Sequence, residues 1–260
     1  MTPVTIITGA SAGIGTELAR VFARHGHALF LVARREQRLE SLAAEIAASG
    51  APRPAVLALD LAARDATKRI AEALAAQSLE PQFIVNNAGF GLVGRAAALS
   101  RDEQLDMIDL NVRTLTDLSL AFVDSLARHR GGILNVGSVA GFMPGPGSAV
   151  YYAGKAYVVS LSEALHYELA PRGVRVCCLC PGPVATEFQA RAGVPEATPR
   201  WPLATSASRV AEAGYRGLMR GQRVVIPGFG NWLVVRLVAP LMPRSLFLKI
   251  LDDRQARRKH

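Results

Sequence analysis

Thr8-Gly9-Ala10-Ser11-Ala12-Gly13-Ile14-Gly15 decides how the rest of the chain is read. It closes the apolar run 4–8 and leads at once into a segment of helical period. Glycines at such a junction let the backbone turn tightly, come close to a pyrophosphate and pack the helix on the strand. The helix N-terminus adds unpaired N–H groups and a partial positive charge for phosphates. A glycine cluster alone is weak evidence, because ordinary turns collect glycine too. Behind the first strand of an alternating chain it becomes a dinucleotide-binding signal.

The alternation is present throughout. Residues 4–8, 28–32, 55–59, 83–85, 133–136, 174–179 and 223–226 read as strands. Most are near-continuously apolar, as strands covered on both faces should be. Helical candidates lie between them at 13–25, 36–49, 65–77, 102–129, 149–170 and 206–220. This pattern predicts an α/β fold: a Rossmann-type, doubly wound parallel sheet of about seven strands with helices on both faces, in a single domain. Residues 1–230 are expected to form the dinucleotide-binding catalytic domain, and 231–260 an apolar C-terminal extension. Two segments break the rhythm. Residues 182–208 are rich in Pro and Gly and read as a mobile active-site loop. Residues 231–250 contain Pro240 and Pro243, so any helix there is divided or kinked.

Composition narrows the classes. The chain has 260 residues, half of them hydrophobic and 20% charged, enough for a sizeable core. The charge-free stretch 237–243 is far too short to cross a bilayer, which needs roughly 20 apolar residues. Met1 runs into a strand-like segment without a basic region, so no signal peptide is expected, and the expected location is cytoplasmic. Cys177, Cys178 and Cys180 crowd one apolar run and read as small buried residues, with neither a disulfide framework nor a metal site expected. The net charge of +9 favours anionic ligands in general. The arginines are scattered rather than interleaved with aromatics in one patch, so nucleic-acid binding is not favoured.

The second strand tests which nucleotide fits. It ends Leu31-Val32-Ala33-Arg34-Arg35, with Ala33 where a protein preferring NAD usually carries the carboxylate that holds the ribose hydroxyls. Without that carboxylate, and with a guanidinium able to grip a phosphate bidentately, the pattern favours NADP(H). The plainer reading is a solvated basic turn. Tyr151 and Lys155 are spaced to share one helix face. A phenol titrates near pH 10, and a neighbouring ammonium would favour its ionised form. The pair could therefore give a proton to a carbonyl oxygen or take one from an alcohol. Only Lys68, Lys155, Lys249 and Lys259 are lysines among 30 basic residues, a weak hint that an ammonium is wanted at 155. Ser138 follows the fifth strand, at the sheet edge where ligands of such folds bind, although capping a turn is its simpler role. Asn111 stands mid-helix, where asparagine is mildly disfavoured and a specific hydrogen bond is expected.

Together these residues resemble the short-chain dehydrogenase/reductase family over roughly residues 3–226. The likeness is carried by Gly13-Ile14-Gly15, Asp60-Leu61 after the third strand and Asn86-Asn87-Ala88-Gly89 after the fourth. Asn111, Ser138, Tyr151 with Lys155, and Pro181-Gly182 with Thr186 complete it. The resemblance implies that Tyr151 is the general acid/base and that Lys155 lowers its pKa and holds the nicotinamide ribose. It implies that Ser138 orients the substrate carbonyl and that Asn111 holds a water linking Lys155 to a proton relay. Asp60 would lie beside the adenine, Asn87 would support the cofactor cleft, and Thr186 would touch the nicotinamide carboxamide. Gly9, Ser11, Leu61, Ala88, Gly89, Pro181 and Gly182 belong to the same cofactor-binding set. Gly154 departs from the serine often found there, and Ser11 and Ala12 stand where some NADP-dependent relatives carry a basic residue. Cofactor preference therefore rests on Arg34, with Arg35 beside it. The nearest branch is similar to uncharacterised bacterial ketone or aldehyde reductases, and relatives commonly form homodimers or homotetramers through the helices at 102–129 and 149–170.

Phe90, Phe142, Met143, Phe188, Val194 and Trp201 lie in loops that this topology places over the nicotinamide, which suits a small apolar carbonyl substrate. The plainer role for each is pinning its loop. The extension 231–260 could pack on the domain, form an oligomer interface or lie on a membrane surface, with burial the simpler expectation. Two rival functions remain at this level. One is a non-catalytic NADP(H) sensor or scaffold, which would not need Asn111, Ser138, Tyr151 and Lys155 in register. The other is a lipid-associated protein acting through its C-terminal segment.

Overall fold

A computed structural model describes residues 1–193 and 204–256. Val194 and Trp201, expected over the substrate pocket, lie outside the described residues. All seven expected strands form: β1 (Thr2–Thr8), β2 (Leu29–Ala33), β3 (Ala55–Ala58), β4 (Leu79–Asn86), β5 (Gly132–Val136), β6 (Arg175–Leu179) and β7 (Val224–Val225). They make one parallel sheet in the order β3-β2-β1-β4-β5-β6-β7. Strand order reverses between β1 and β4, which opens a crevice at their carboxyl ends.

Alternation along each strand divides the core in two. Ile7, Leu31, Val85, Leu134 and Leu179 face α1 (Gly13–Arg24), α2 (Glu36–Ala48) and α9 (Ala207–Met219), where Phe22, Leu39 and Leu218 are fully buried. Ile6, Val32, Ile84, Ile133 and Val176 face the opposite layer, α3 (Ala66–Ala76), α5 (Leu115–Ala121), α6 (Val123–Arg128) and α7 (Ala149–Leu169). Both faces of the central strands are thus dry, which explains why they read as continuous apolar runs.

The expected single helix over 102–129 is interrupted. It runs as α4 (Arg101–Ile108), a π-helical turn Asp109–Thr114, α5, a break at Phe122 and α6. A π turn inserts one extra residue per turn and re-aims a side chain, here Asn111. Within the expected loop 182–208, Glu187–Arg191 forms a short helix, α8, capped by Thr186.

The C-terminal extension begins inside the fold. Helix α10 (Phe229–Leu233) starts before residue 231, and Asn231 is 4% exposed, its Nδ2 donating to the Pro227 carbonyl at 3.1 Å. A Cβ added at Gly182 would lie 2.4 Å from Asn231 Oδ1, so the extension is seated on the Pro181-Gly182 turn. A π turn over Val234–Val238 and α11 (Ala239–Leu241) follow; then the chain leaves helix at Met242 and restarts as α12 (Arg244–Ala256), the division that Pro240 and Pro243 foretell. Arg95 pairs with Asp252 at 2.7 Å and ties α12 to the loop after β4. Phe229, Trp232, Leu241 and Leu246 are exposed, and among the described residues no helix is long and apolar enough to cross a membrane.

Candidate active site

The crevice between β1 and β4 is lined by the glycine motif. Gly9 and Gly13 have φ of +65° and +59°, a left-handed region that side chains disfavour. A Cβ at Gly15 would fall 2.3 Å from the Gly9 carbonyl oxygen, so the helix start lies directly on the turn. Ala12, the residue preceding α1, provides no side-chain cap, which leaves the N–H groups of the first turn for an anion. These features together make a cradle that the pyrophosphate of a dinucleotide fits.

The cradle is wired to β4. Asn87 Nδ2 donates to the carbonyls of Thr8 (2.9 Å) and Gly9 (3.2 Å). The Thr8 hydroxyl accepts from the N–H of Asn87 (3.0 Å) and of Ala88 (3.1 Å), while donating to the Val85 carbonyl. Thr8 is thus a shaping residue that sequence reading passed over; a threonine ending an apolar strand before glycine was the available signal. Thr186 reaches the cradle from the opposite side, its methyl 3.0 Å from where a Gly13 Cβ would be. Asp60 is exposed and its Oδ1 accepts from the Ala62 N–H at 3.1 Å, while Leu61 is buried and its carbonyl accepts from the Thr114 hydroxyl. Pro181 is buried, its carbonyl accepting from the Val139 N–H at 3.0 Å, next to Gly182. At the end of β2, Arg34 is exposed, and Arg35 crosses to the Ser11 hydroxyl (Nη2, 3.2 Å). The end of β2 and the glycine loop thus jointly present guanidinium at the edge of the cleft.

At the other end of the cleft, α7 and the end of β5 bring Tyr151, Lys155 and Ser138 together. Lys155 is 6% exposed, and its Nζ donates to the Val136 carbonyl at 2.7 Å and lies 5.9 Å from the Tyr151 ring centre. Burial pushes the ammonium down to about 8, with Cys178 and Cys180 opposing. Burial also pushes the Tyr151 phenol up to about 12, while the Ser138 hydroxyl beside it pulls the other way. In this geometry the phenol therefore stands above its ordinary value, because desolvation of the phenolate, with Tyr152 and Cys180 adding to it, outweighs the Ser138 hydroxyl. Ser138 is buried and extended at the end of β5, and its Oγ accepts from the Ala140 N–H at 3.1 Å. It thus caps a turn and faces the phenol at the same time.

Asn111 grips the backbone of Phe90 with both ends of its amide: Oδ1 accepts from the Phe90 N–H (3.1 Å) and Nδ2 donates to its carbonyl (2.8 Å). Asn111 thus uses its side chain to fix the Ala88-Gly89-Phe90 turn, and a Cβ at Gly89 would meet Asn111 Oδ1 at 2.8 Å. Gly154 lies against Val112 at a distance where a Cβ would make ordinary contact, 3.5 Å.

The expected pocket aromatics separate. Phe188 of α8 packs on Tyr151, ring centres 5.6 Å apart, over Gly91. Phe90 is buried beneath the guanidinium of Arg191, which stands 4.4 Å above its ring. Phe142 packs instead on the buried cluster of Leu115, Val158 and Val159. Met143 is half-buried beyond that turn. Beneath the site runs a polar chain through the dry sheet: Asn86 Nδ2 donates to Asn135 Oδ1 (2.9 Å) and to Ser119 (3.0 Å), and Asn135 Nδ2 donates to Ser162 (3.0 Å). Single asparagines inside apolar strands were its only trace in the sequence. Cys177 and Cys178 in β6, and Cys180 just after it, are free and buried.

Fold and site define a dinucleotide-binding protein of the doubly wound class, with a tyrosine–lysine pair at the carboxyl edge of its sheet. Residues 3–196 match the short chain dehydrogenase family, and the chain belongs to it. It is 37% identical over 191 residues to sulfoacetaldehyde reductase 2 of Chromohalobacter salexigens, a match spanning 72% of this chain and 75% of that protein. Among solved structures it resembles a short-chain dehydrogenase from Sphingobium yanoikuyae in complex with NADPH, with a TM-score of 0.79 and 32% identity over 98% of this chain and 94% of that one. It also resembles the bulky-bulky ketone specific alcohol dehydrogenase of Comamonas testosteroni, with a TM-score of 0.75 and 28% identity over 98% and 93% of the two chains. The chain is thus an oxidoreductase by family.

Proposed function

We propose that the protein is an NADP(H)-dependent short-chain reductase that interconverts an apolar ketone or aldehyde with its alcohol. The observation that carries this reading is the convergence of Ser138, Tyr151 and Lys155 at the carboxyl edge of the sheet, at the far end of the cleft from the glycine cradle. When bound, the cofactor supplies or accepts the hydride. The glycine loop and the first turn of α1 would hold its pyrophosphate, Arg34 and Arg35 its 2′-phosphate, and Lys155 its nicotinamide ribose. A phenol raised to about 12 is protonated at neutral pH and is set to act as the acid in reduction. Tyr151 gives its hydroxyl proton to the carbonyl oxygen, which the Ser138 hydroxyl orients, and the charged Lys155 steadies the phenolate left behind. In the oxidative direction the phenolate takes the proton from the alcohol. Asn111 acts as a positioning residue that holds Phe90.

Phe188 over Tyr151 supports an apolar substrate, as does the likeness to a dehydrogenase that acts on bulky ketones. The NADPH complex of the Sphingobium relative supports the cofactor assignment. Leu105, Ile108, Leu120 and Tyr157, exposed on α4, α5 and α7, suit a homodimer or homotetramer interface. The extension from residue 231 belongs to the catalytic body in this reading, since Asn231 supports the Pro181-Gly182 turn; a membrane role is not favoured, and a cytoplasmic location fits an enzyme that draws on NADPH. Calorimetric titration with NADPH and NADH side by side tests the cofactor, with tighter NADPH binding expected and equal or NADH-favoured binding refuting it. A panel of apolar ketones and aldehydes, followed by NADPH consumption, tests the substrate class; turnover confined to small polar carbonyls would refute it.

A further inference from the structure

Four arginines gather beside the glycine loop: Arg34 and Arg35 after β2, Arg38 in α2, and Arg191 at the end of α8. Arg34 makes no hydrogen bond or ion pair among the described residues. Arg35 and Arg38, however, are already occupied. Glu187, the first residue of α8, takes Arg35 Nη1 on one carboxylate oxygen (2.8 Å) and Arg38 Nη1 on the other (2.5 Å). Arg35 continues to Ser11 in the glycine loop, so one carboxylate links α8, α2 and the cradle. The two guanidiniums hold the Glu187 carboxyl below the usual carboxylate range.

A carboxylate whose two oxygens each meet a guanidinium presents a pair of anionic acceptors much as one edge of a phosphate does, with less charge. We propose that Glu187 stands in for the cofactor's 2′-phosphate in the nucleotide-free protein, and that NADP(H) binds by displacing it from Arg35 and Arg38. This rests on the NADP(H) reading above. An unphosphorylated cofactor leaves the bridge in place. The bridge is built to yield: its three side chains are 44–53% exposed, and exposed ion pairs are individually weak. A phosphate dianion gripped by the same arginines is the stronger partner. Because Phe188, next to Glu187, packs on Tyr151, release of the bridge also connects the adenosine end of the cleft to the substrate end.

The test uses the whole protein and two fragments of the cofactor, 2′,5′-ADP and 5′-AMP, titrated calorimetrically at one fixed salt concentration into wild type and Glu187→Gln. Removing the competitor should tighten 2′,5′-ADP roughly three- to tenfold while leaving 5′-AMP within about twofold. Equal tightening of both fragments would mean a general change of field and would overturn the proposal. So would unchanged or weaker 2′,5′-ADP binding. A wild type that fails to prefer 2′,5′-ADP over 5′-AMP would instead remove the NADP(H) reading, and this inference with it.

Discussion

At the α7 end of the cleft, Lys155, Ser138, Asn135 and Ser162 are all below 10% exposure, each polar group engaged with a neighbour or with backbone. At the β2 end, Arg35, Arg38 and Glu187 keep about half of their side chains in water and hold one another by charge. The first region is held by the sheet and cannot rearrange without exposing buried polar groups. The second can exchange partners at little cost. A site that must place a proton donor to within a few tenths of an ångström, yet admit and release a charged nucleotide, has use for both.

Substitutions can test that contrast. Tyr151→Phe, at the rigid end, should lower turnover about 100- to 10,000-fold while nucleotide affinity stays within about twofold; retained turnover would remove Tyr151 from its role. Asn135→Ala should destabilise by about 2–4 kcal/mol, because it strands a donor on Asn86 and an acceptor on Ser162 in a dry sheet and leaves a void, as read from the urea midpoint.

The Tyr151–Lys155 pair also sets a pH signature. Lys155 holds its proton less tightly in the fold (about 8) than its ordinary 10.5, so from pH 8 to 10.5 the unfolded chain binds more protons and stability rises with pH. Tyr151, raised from 10.0 to about 12, reverses this above pH 10, where the folded chain holds the extra proton. Burial of the Cys177 thiol opposes the lysine in the same range, so the measurement is the difference between wild type and Lys155→Met. The rise between pH 8 and 10 that Lys155 contributes should be missing in the variant. Gly154→Ala should stabilise by about 0.5–1 kcal/mol, since a Cβ there meets only Val112 at ordinary distance. At the exposed end, Glu187→Gln should move the stability by less than about 1 kcal/mol; a larger loss would show that the arginine bridge is structural, and the contrast would fail.

The elements that could be read along the chain were those whose signal is local. Seven apolar runs separated by helical periods carry the sheet, because a strand buried on both faces must be apolar whatever it pairs with. Gly9, Gly13 and Gly15 are visible because only glycine tolerates their φ values or the contact with the Gly9 carbonyl. Tyr151 and Lys155 are visible because one helix carries both. The π turn that aims Asn111 was not legible, since it answers to Phe90, which is remote in sequence. Phe142 and Phe188 look alike as loop aromatics, but one joins the cluster under α7 and the other meets Tyr151. The Asn86–Asn135 pair depends on register between β4 and β5.

The sequence by itself determined the doubly wound sheet, the cradle after β1 and the helix face shared by Tyr151 and Lys155, because spacing within one element is enough to specify each. Tertiary structure alone decided that Glu187 meets Arg35 and Arg38 across some 150 residues of chain. It also decided that Asn231 supports Gly182, and that burial drives the phenol up and the ammonium down. Those outcomes depend on which distant groups exclude water or supply charge, and no local pattern records that.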